Sequence, residues 1–267
     1  MADLFVTGKR YYYSRLPEHE KKIYMEIYNG LRSRRTKFIF PLEKYNGVYP
    51  PPSRLWDILY YVTGDNPDLY YVDGTNIVLK HQSGPRQYIH VNYTEYYSPE
   101  QSRQVEQILR MRVDEILSML HDQAEGHPQV YKLYCHMLDH IRYDYDSVAP
   151  ENSLSDLEAH TIVGPLLNHY GVCAGYTKMF KLICDQLGIG CFYIRGEAKG
   201  AQGWGLHSWN VVFLDGAFYH VDVTFDTAYY LSSGRKNCAY FLRGDAAMEK
   251  DHRWDRSLFP PMTDDYL

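Results

Sequence analysis

The chain has 267 residues, 45% hydrophobic and 23% charged, enough apolar material to core one large domain or two modest ones. Its net charge of -5 leaves no basic face, so neither nucleic acid nor an anionic membrane is an expected partner. Five cysteines, at 135, 173, 184, 191 and 238, include no CxxC pair, which argues against a disulfide framework or a zinc knuckle.

The opening stretch MADLFVTGKRYYYSRL carries no apolar leader, and no later stretch reaches the length of a membrane span. A cytoplasmic protein is therefore expected, exported only if a leader precedes this chain. Tyrosine is abundant, 27 residues against 10 Phe and 4 Trp, which implies a polar-edged core and shallow grooves before it implies a carbohydrate or peptide platform. Leu16-Pro17 opens a helix whose Ile23, Ile27 and Leu31 recur every fourth position, beside Tyr24 and Tyr28. TKFIF reads as a short strand. The loop NGVYPPPS ends on Ser53, the expected N-cap of a helix burying Leu55, Ile58, Leu59 and Val62. DLYYV, NIVLK and RQYIHVNY read as strands between Asp-Gly and Ser-Gly-Pro punctuation. Residues 1–97 are thus expected to form a small α/β module, whose role the sequence does not assign.

Ser98-Pro99-Glu100-Gln101 combines a proline at the first helical position with a capping box. This helix runs to about Leu120, and residues 98–126 are expected to connect the module to a second domain, 127–267. The next helix carries Val130, Leu133, Tyr134, Met137, Leu138 and Ile141 on one face.

GVCAGYTKMF then places Cys173 in the first turn of a helix that continues through Met179, Phe180, Ile183 and Leu187 to a stop at Gly188. Free amides and the positive end of the helix dipole favour a thiolate there, below the ordinary thiol pKa of about 8.5. Gly171 and Gly175 leave room for a substrate or another backbone. The other four cysteines read as small buried hydrophobes.

A thiolate nucleophile needs a histidine, itself oriented by a carboxylate or amide. HSWNVVFLDGAFYHVDVTFD supplies both on two alternating runs about Asp215-Gly216, a two-residue hairpin turn. In that register Trp209 faces Asp222 and His207 faces Thr224, which puts His207 and Asp222 on one diagonal. Asp226 takes the other diagonal and His220 shares the face, so pairing alone does not choose the carboxylate. Cys173, His207, His220 and Asp222 lack a closely spaced ligand pair, and no metal is expected. His136 and His140 lack the glutamate of HExxH and read as a solvated helix edge.

The order of cysteine, histidine and aspartate, carried by GVCAGYTKMFKLICDQLGI, HSWNVVFLDGAFYHVDVTFD and YFLRGDAAMEKDHRW, resembles the transglutaminase-like superfamily, and its bacterial members in particular. The resemblance covers roughly residues 127–255. It implies an α+β fold with a papain/transglutaminase-like core, a nucleophile helix packed on an antiparallel sheet. It also implies Cys173 as nucleophile, His207 as general base, Asp222 as its orienter and Asp226 as a structural aspartate. Val223 stands where the family often has proline, and Phe225 where it often has tryptophan. The implied function is acyl transfer on peptide or amide bonds, a peptidase first, with no cofactor and a protein or peptide as the partner. The alternatives are a glutamine transglutaminase using an amine acceptor and a non-catalytic peptide- or carbohydrate-binding module on the same fold.

Overall fold

A computed structural model describes residues 5, 8, 10–72, 77–84, 86–148, 154–201 and 203–266. It begins with a short helix that the sequence pattern does not signal, α1 (Tyr11–Arg15), followed by α2 (Glu18–Arg32), which buries Ile23, Ile27 and Leu31. β1 (Lys37–Leu42) contains most of TKFIF. α3 (Pro52–Asp65) starts earlier than expected. Pro51 is its N-cap and Ser53 lies inside the first turn, because proline already holds the φ that a helix start requires. The expected DLYYV strand is not formed. Leu69, Tyr70, Tyr71 and Val72 are buried, yet turn bonds hold them, Leu69 N–H donating to Asn66 O (3.1 Å) and Val72 N–H to Leu69 O (2.9 Å). A short apolar run signals burial without fixing the backbone period. β2 (Ile77–Gln82) and β3 (Gln87–Tyr93) join β1 in an antiparallel sheet ordered β1-β3-β2.

The capping box is formed at the head of α4 (Pro99–His121): Gln101 N–H donates to Ser98 Oγ (3.2 Å) and Ser98 N–H to Gln101 Oε1 (2.8 Å). α5 (His127–His140), β4 (Arg142–Tyr143), α6 (Leu154–Ala159), a π-helical turn over Gly164–Asn168 and β5 (Tyr170–Gly171) lead to α7 (Cys173–Gln186). β6 (Gly190–Gly200), β7 (Gly203–Leu214), β8 (Ala217–Val221), α8 (Val223–Ser233), α9 (Asp245–Met248) and β9 (His252–Trp254) complete the chain. Four antiparallel strands run in the order β8-β7-β6-β9, and α7 packs on β6 and β7. The fold is α+β, with the Cys173 helix laid on an antiparallel sheet.

The β7–β8 hairpin keeps the expected register from Leu214↔Ala217 to Asn210↔Val221, with Asp215 and Gly216 at φ 49° and 83°, as a two-residue turn of this hand requires. It stops one residue short of the predicted diagonal. Trp209 does not pair with Asp222, nor His207 with Thr224, because Asp222 is the N-cap of α8. Its side chain accepts from Thr224 N–H (2.9 Å) and Phe225 N–H (3.3 Å), turning the chain from strand to helix.

Candidate active site

Cys173 is the first residue of α7, after an extended Val172 that offers no side-chain cap, so the positive end of the helix dipole lies at the thiol. The glycines around it serve the chain's own backbone. A Cβ on Gly175 would stand 2.3 Å from Ala159 O, and one on Gly171 would stand 2.9 Å from Pro165 Cγ. The helix start is thereby pressed against the segment entering β5. Cys173 is half-buried, while Cys184 and Cys191 are buried as expected. Cys135 and Cys238 are also half-buried, contrary to expectation, since they sit beside Tyr131 on the outer part of α5.

His207 lies on β7, and its Nε2 is 2.7 Å from Asp222 Oδ2. Its other ring nitrogen is left for Cys173, with which His207 shares a hydrogen bond. Cys173, His207 and Asp222 thus form one hydrogen-bonded line. Asp226 is directed elsewhere: it accepts from the Tyr134 hydroxyl and from Ala239 N–H (3.1 Å) and Tyr240 N–H (2.9 Å), tying α8 to α5 and to the loop after it. His220 is engaged as well, accepting at Nδ1 from Trp209 Nε1–H (3.0 Å) and meeting Asp245 Oδ1 at 3.0 Å. His136 is half-buried under His140 rather than solvated, and burial first, then the neighbouring His140, lowers its pKa to about 4.

Burial alone would discourage every charge in the line, but the partners outweigh it. Burial raises the Cys173 pKa, and the hydrogen bond from His207, its charge and Ser208 bring it below the ordinary thiol value. Burial lowers that of His207, and Asp222 with Cys173 lifts it to about 10. The buried Asp222 carboxyl is held far below the usual carboxylate range by His207 and by a second histidine. The arrangement favours a thiolate–imidazolium pair leaning on a carboxylate.

That second histidine is His252, on the edge strand β9, which sequence reasoning missed. Its Nε2 lies 3.0 Å from Asp222 Oδ2. The signal available was the alternation in His252-Arg253-Trp254, but nothing in a three-residue strand announces its neighbour. His207, Asp222 and His252 place possible metal-ligating atoms within 4.8 Å of one another, and hydrogen bonding already satisfies all three. Tyr143 was missed too. β4 pairs Tyr143 with Gly171, and its hydroxyl accepts from the backbone N–H of Cys173. The rings of Tyr143 and Tyr145 meet at 5.0 Å, tilted, and Phe225 lies 5.0 Å from the His207 ring.

A cysteine at a helix head, a histidine on the neighbouring sheet and a capped carboxylate are the groups that thiol acyl-transfer chemistry uses. The stretch that contains all three, residues 110–223, matches the model of the transglutaminase-like superfamily. It is 27% identical over 168 residues to kyphoscoliosis peptidase of Mus musculus and 29% identical over 168 residues to that of Homo sapiens. Each match covers 57% of this chain and 24% of the relative, so the chain spans about a quarter of those proteins. Among solved structures it is similar to a TGase (TM-score 0.41, 12% identity, 71% of this chain and 50% of that one). It is also similar to the periplasmic domain of TgpA from Pseudomonas aeruginosa (TM-score 0.32, 17% identity, 52% of this chain and 56% of that one).

Proposed function

We propose that the chain is a cysteine-dependent acyl-transfer enzyme that cleaves peptide or amide bonds, with Cys173 as nucleophile, His207 as proton carrier and Asp222 as the group that orients it. The observation that carries the reading is the line Cys173–His207–Asp222, whose histidine is held cationic against the thiol by a carboxylate 2.7 Å behind it. The peptidase name of the curated relatives supports the same class.

The Cys173 sulfur attacks the carbonyl carbon, and the C–N bond breaks as the His207 imidazolium gives its proton to the departing amine. The acyl group remains on sulfur as a thioester. Neutral His207 then takes a proton from water, which adds to the thioester carbon and expels the thiolate. The Cys173 N–H receives the developing oxyanion, and the Tyr143 hydroxyl, which accepts from that N–H at rest, turns to become the second donor. Tyr143, Tyr145 and Phe225 supply aromatic walls for an extended peptide. Water at about 55 M is the default acceptor where nothing excludes it.

Two measurements test the proposal. Iodoacetamide should alkylate Cys173 faster than a free thiol and with a low-pH limb. A panel of peptide and amide substrates, with amine acceptors added, should be turned over by the wild type and left untouched by a folded Cys173→Ala. Alkylation at the rate of an ordinary thiol, together with no turnover, would leave a binding module as the answer.

A further inference from the structure

We infer that His252 is a positioning residue of this site, an imidazolium clamped between Asp222 and Asp251 that holds the Asp222 carboxylate toward His207. The inference rests on the thiol reading above.

The argument is one of donors and acceptors. A neutral imidazole carries one N–H, and an ionised carboxylate can only accept. Both nitrogens of His252 face carboxylate oxygens, Nε2 at 3.0 Å from Asp222 Oδ2 and Nδ1 at 2.6 Å from Asp251 Oδ1. Both must therefore carry hydrogen. The Tyr240 hydroxyl donates to the other oxygen of Asp251 (2.6 Å), so both oxygens of that group act as acceptors. The His252 ring is buried, edge-on to Trp209 at 4.8 Å and tilted against Phe225 at 4.6 Å, so it can neither turn nor trade a carboxylate for water.

Asp222 is in consequence fixed at both ends. Thr224 and Phe225 bind Oδ1, and the two imidazoles meet on Oδ2. Five groups then alternate in charge from thiolate to carboxylate: Cys173, His207, Asp222, His252, Asp251. The titratable groups facing His252 are His207 from β7, His220 from β8, Asp222 at the head of α8, Tyr240 from the loop after α8 and Asp251 beside it. Burial holds His220 below the ordinary histidine pKa, so no second cation opposes His252 from that side. With the cation at 252 gone, Cys173 would lose a positive charge from its surroundings, and its thiolate would form at higher pH.

The test follows the alkylation of Cys173 by iodoacetamide across pH, read by mass spectrometry of its peptide, in wild type, Asp251→Asn and His252→Gln. Asp251→Asn leaves the ring in place and replaces a carboxylate, which can only accept, by an amide that can donate to an unprotonated Nδ1 and so no longer demands the second proton. Its acid limb is expected to rise by about one pH unit with an unchanged near-UV circular dichroism spectrum. His252→Gln should move the limb the same way. A folded Asp251→Asn whose limb stays put overturns the inference, because a purely structural role would alter the yield of protein and not the limb. A wild type with no acid limb at all overturns the thiol reading instead. Should neither variant fold, imidazole 15N spectra of the wild type decide: hydrogen on both ring nitrogens of His252 is the expected result, and a ring with one bare nitrogen overturns it.

Discussion

At the scale of single residues, Asp222 carries two tasks that can be separated. It caps α8 through Oδ1 and orients His207 through Oδ2. Asparagine can still cap but cannot stabilise an imidazolium. Asp222→Asn should therefore keep its cap yet melt below the wild type, because the buried His207 imidazolium loses its counter-charge, and it should lose up to about ten-thousandfold in kcat, the cost seen when a triad carboxylate is neutralised. Asp226→Asn should also melt lower, through an impaired tie to Tyr134 and Tyr240, but with a much smaller loss of kcat; matching losses of kcat in both variants would refute this assignment. The pH profile has a defined sign. His207 is lifted above its unfolded value to about 10, so its charge supports the fold fully below about pH 6.5 and is lost as pH rises through about 10. The kcat/KM profile should accordingly hold its plateau into alkaline solution and fall near pH 10, with the acid limb set by protonation of the Cys173–His207 pair. A basic limb near neutrality would mean that His207 is not held by Asp222.

At the scale of elements, the thiol is placed by a helix start forced into contact with the backbone that precedes it. Gly175→Ala would satisfy helix propensity, worth about 1 kcal/mol, yet its Cβ would fall 2.3 Å from Ala159 O. The overlap wins. The variant is expected to be destabilised by roughly 1–3 kcal/mol and to alkylate more slowly at Cys173, while a wild-type melting curve would show that the helix can shift freely. The same elements show what one sequence makes visible. The α7 helix, the α4 capping box and the β7–β8 register were legible because each depends on spacing within a few residues of itself. Asp222 was identified through the wrong geometry, since alternation continued as if the strand did, and only the capping bonds to Thr224 and Phe225 end it. His252 and Tyr143 were not legible at all. Each lies on a strand of two or three residues and reaches the site by pairing with a distant partner, Ala198 for His252 and Gly171 for Tyr143. DLYYV failed for the complementary reason, with burial read correctly and backbone shape read from too short a run.

At the scale of the whole molecule, a single cluster of buried side chains runs from Tyr12 and Ile27 through Leu109 and Leu133 to Phe180, Trp209 and Met262, without a break at residue 97. Tyr12 shows how the ends are tied together. Its ring stacks on Tyr61 of α3 at 4.4 Å and meets Phe259 edge-on at 6.0 Å, and its hydroxyl donates to Tyr193 O of β6 (2.6 Å). If the N-terminal elements melted first, they would uncover Phe192 and Tyr193 on the strand beside His207, so melting one part alone would be costly. Scanning calorimetry is therefore expected to record one transition, coincident with the loss of turnover. Tyr12→Ala should remove about 3–5 kcal/mol and shift that whole transition downward by roughly 10 °C, rather than split it. Two resolved transitions in the variant, the later one retaining alkylation of Cys173 at the wild-type rate, would mean that residues 127–266 hold the site without help, and that the module before them is a separate folding unit.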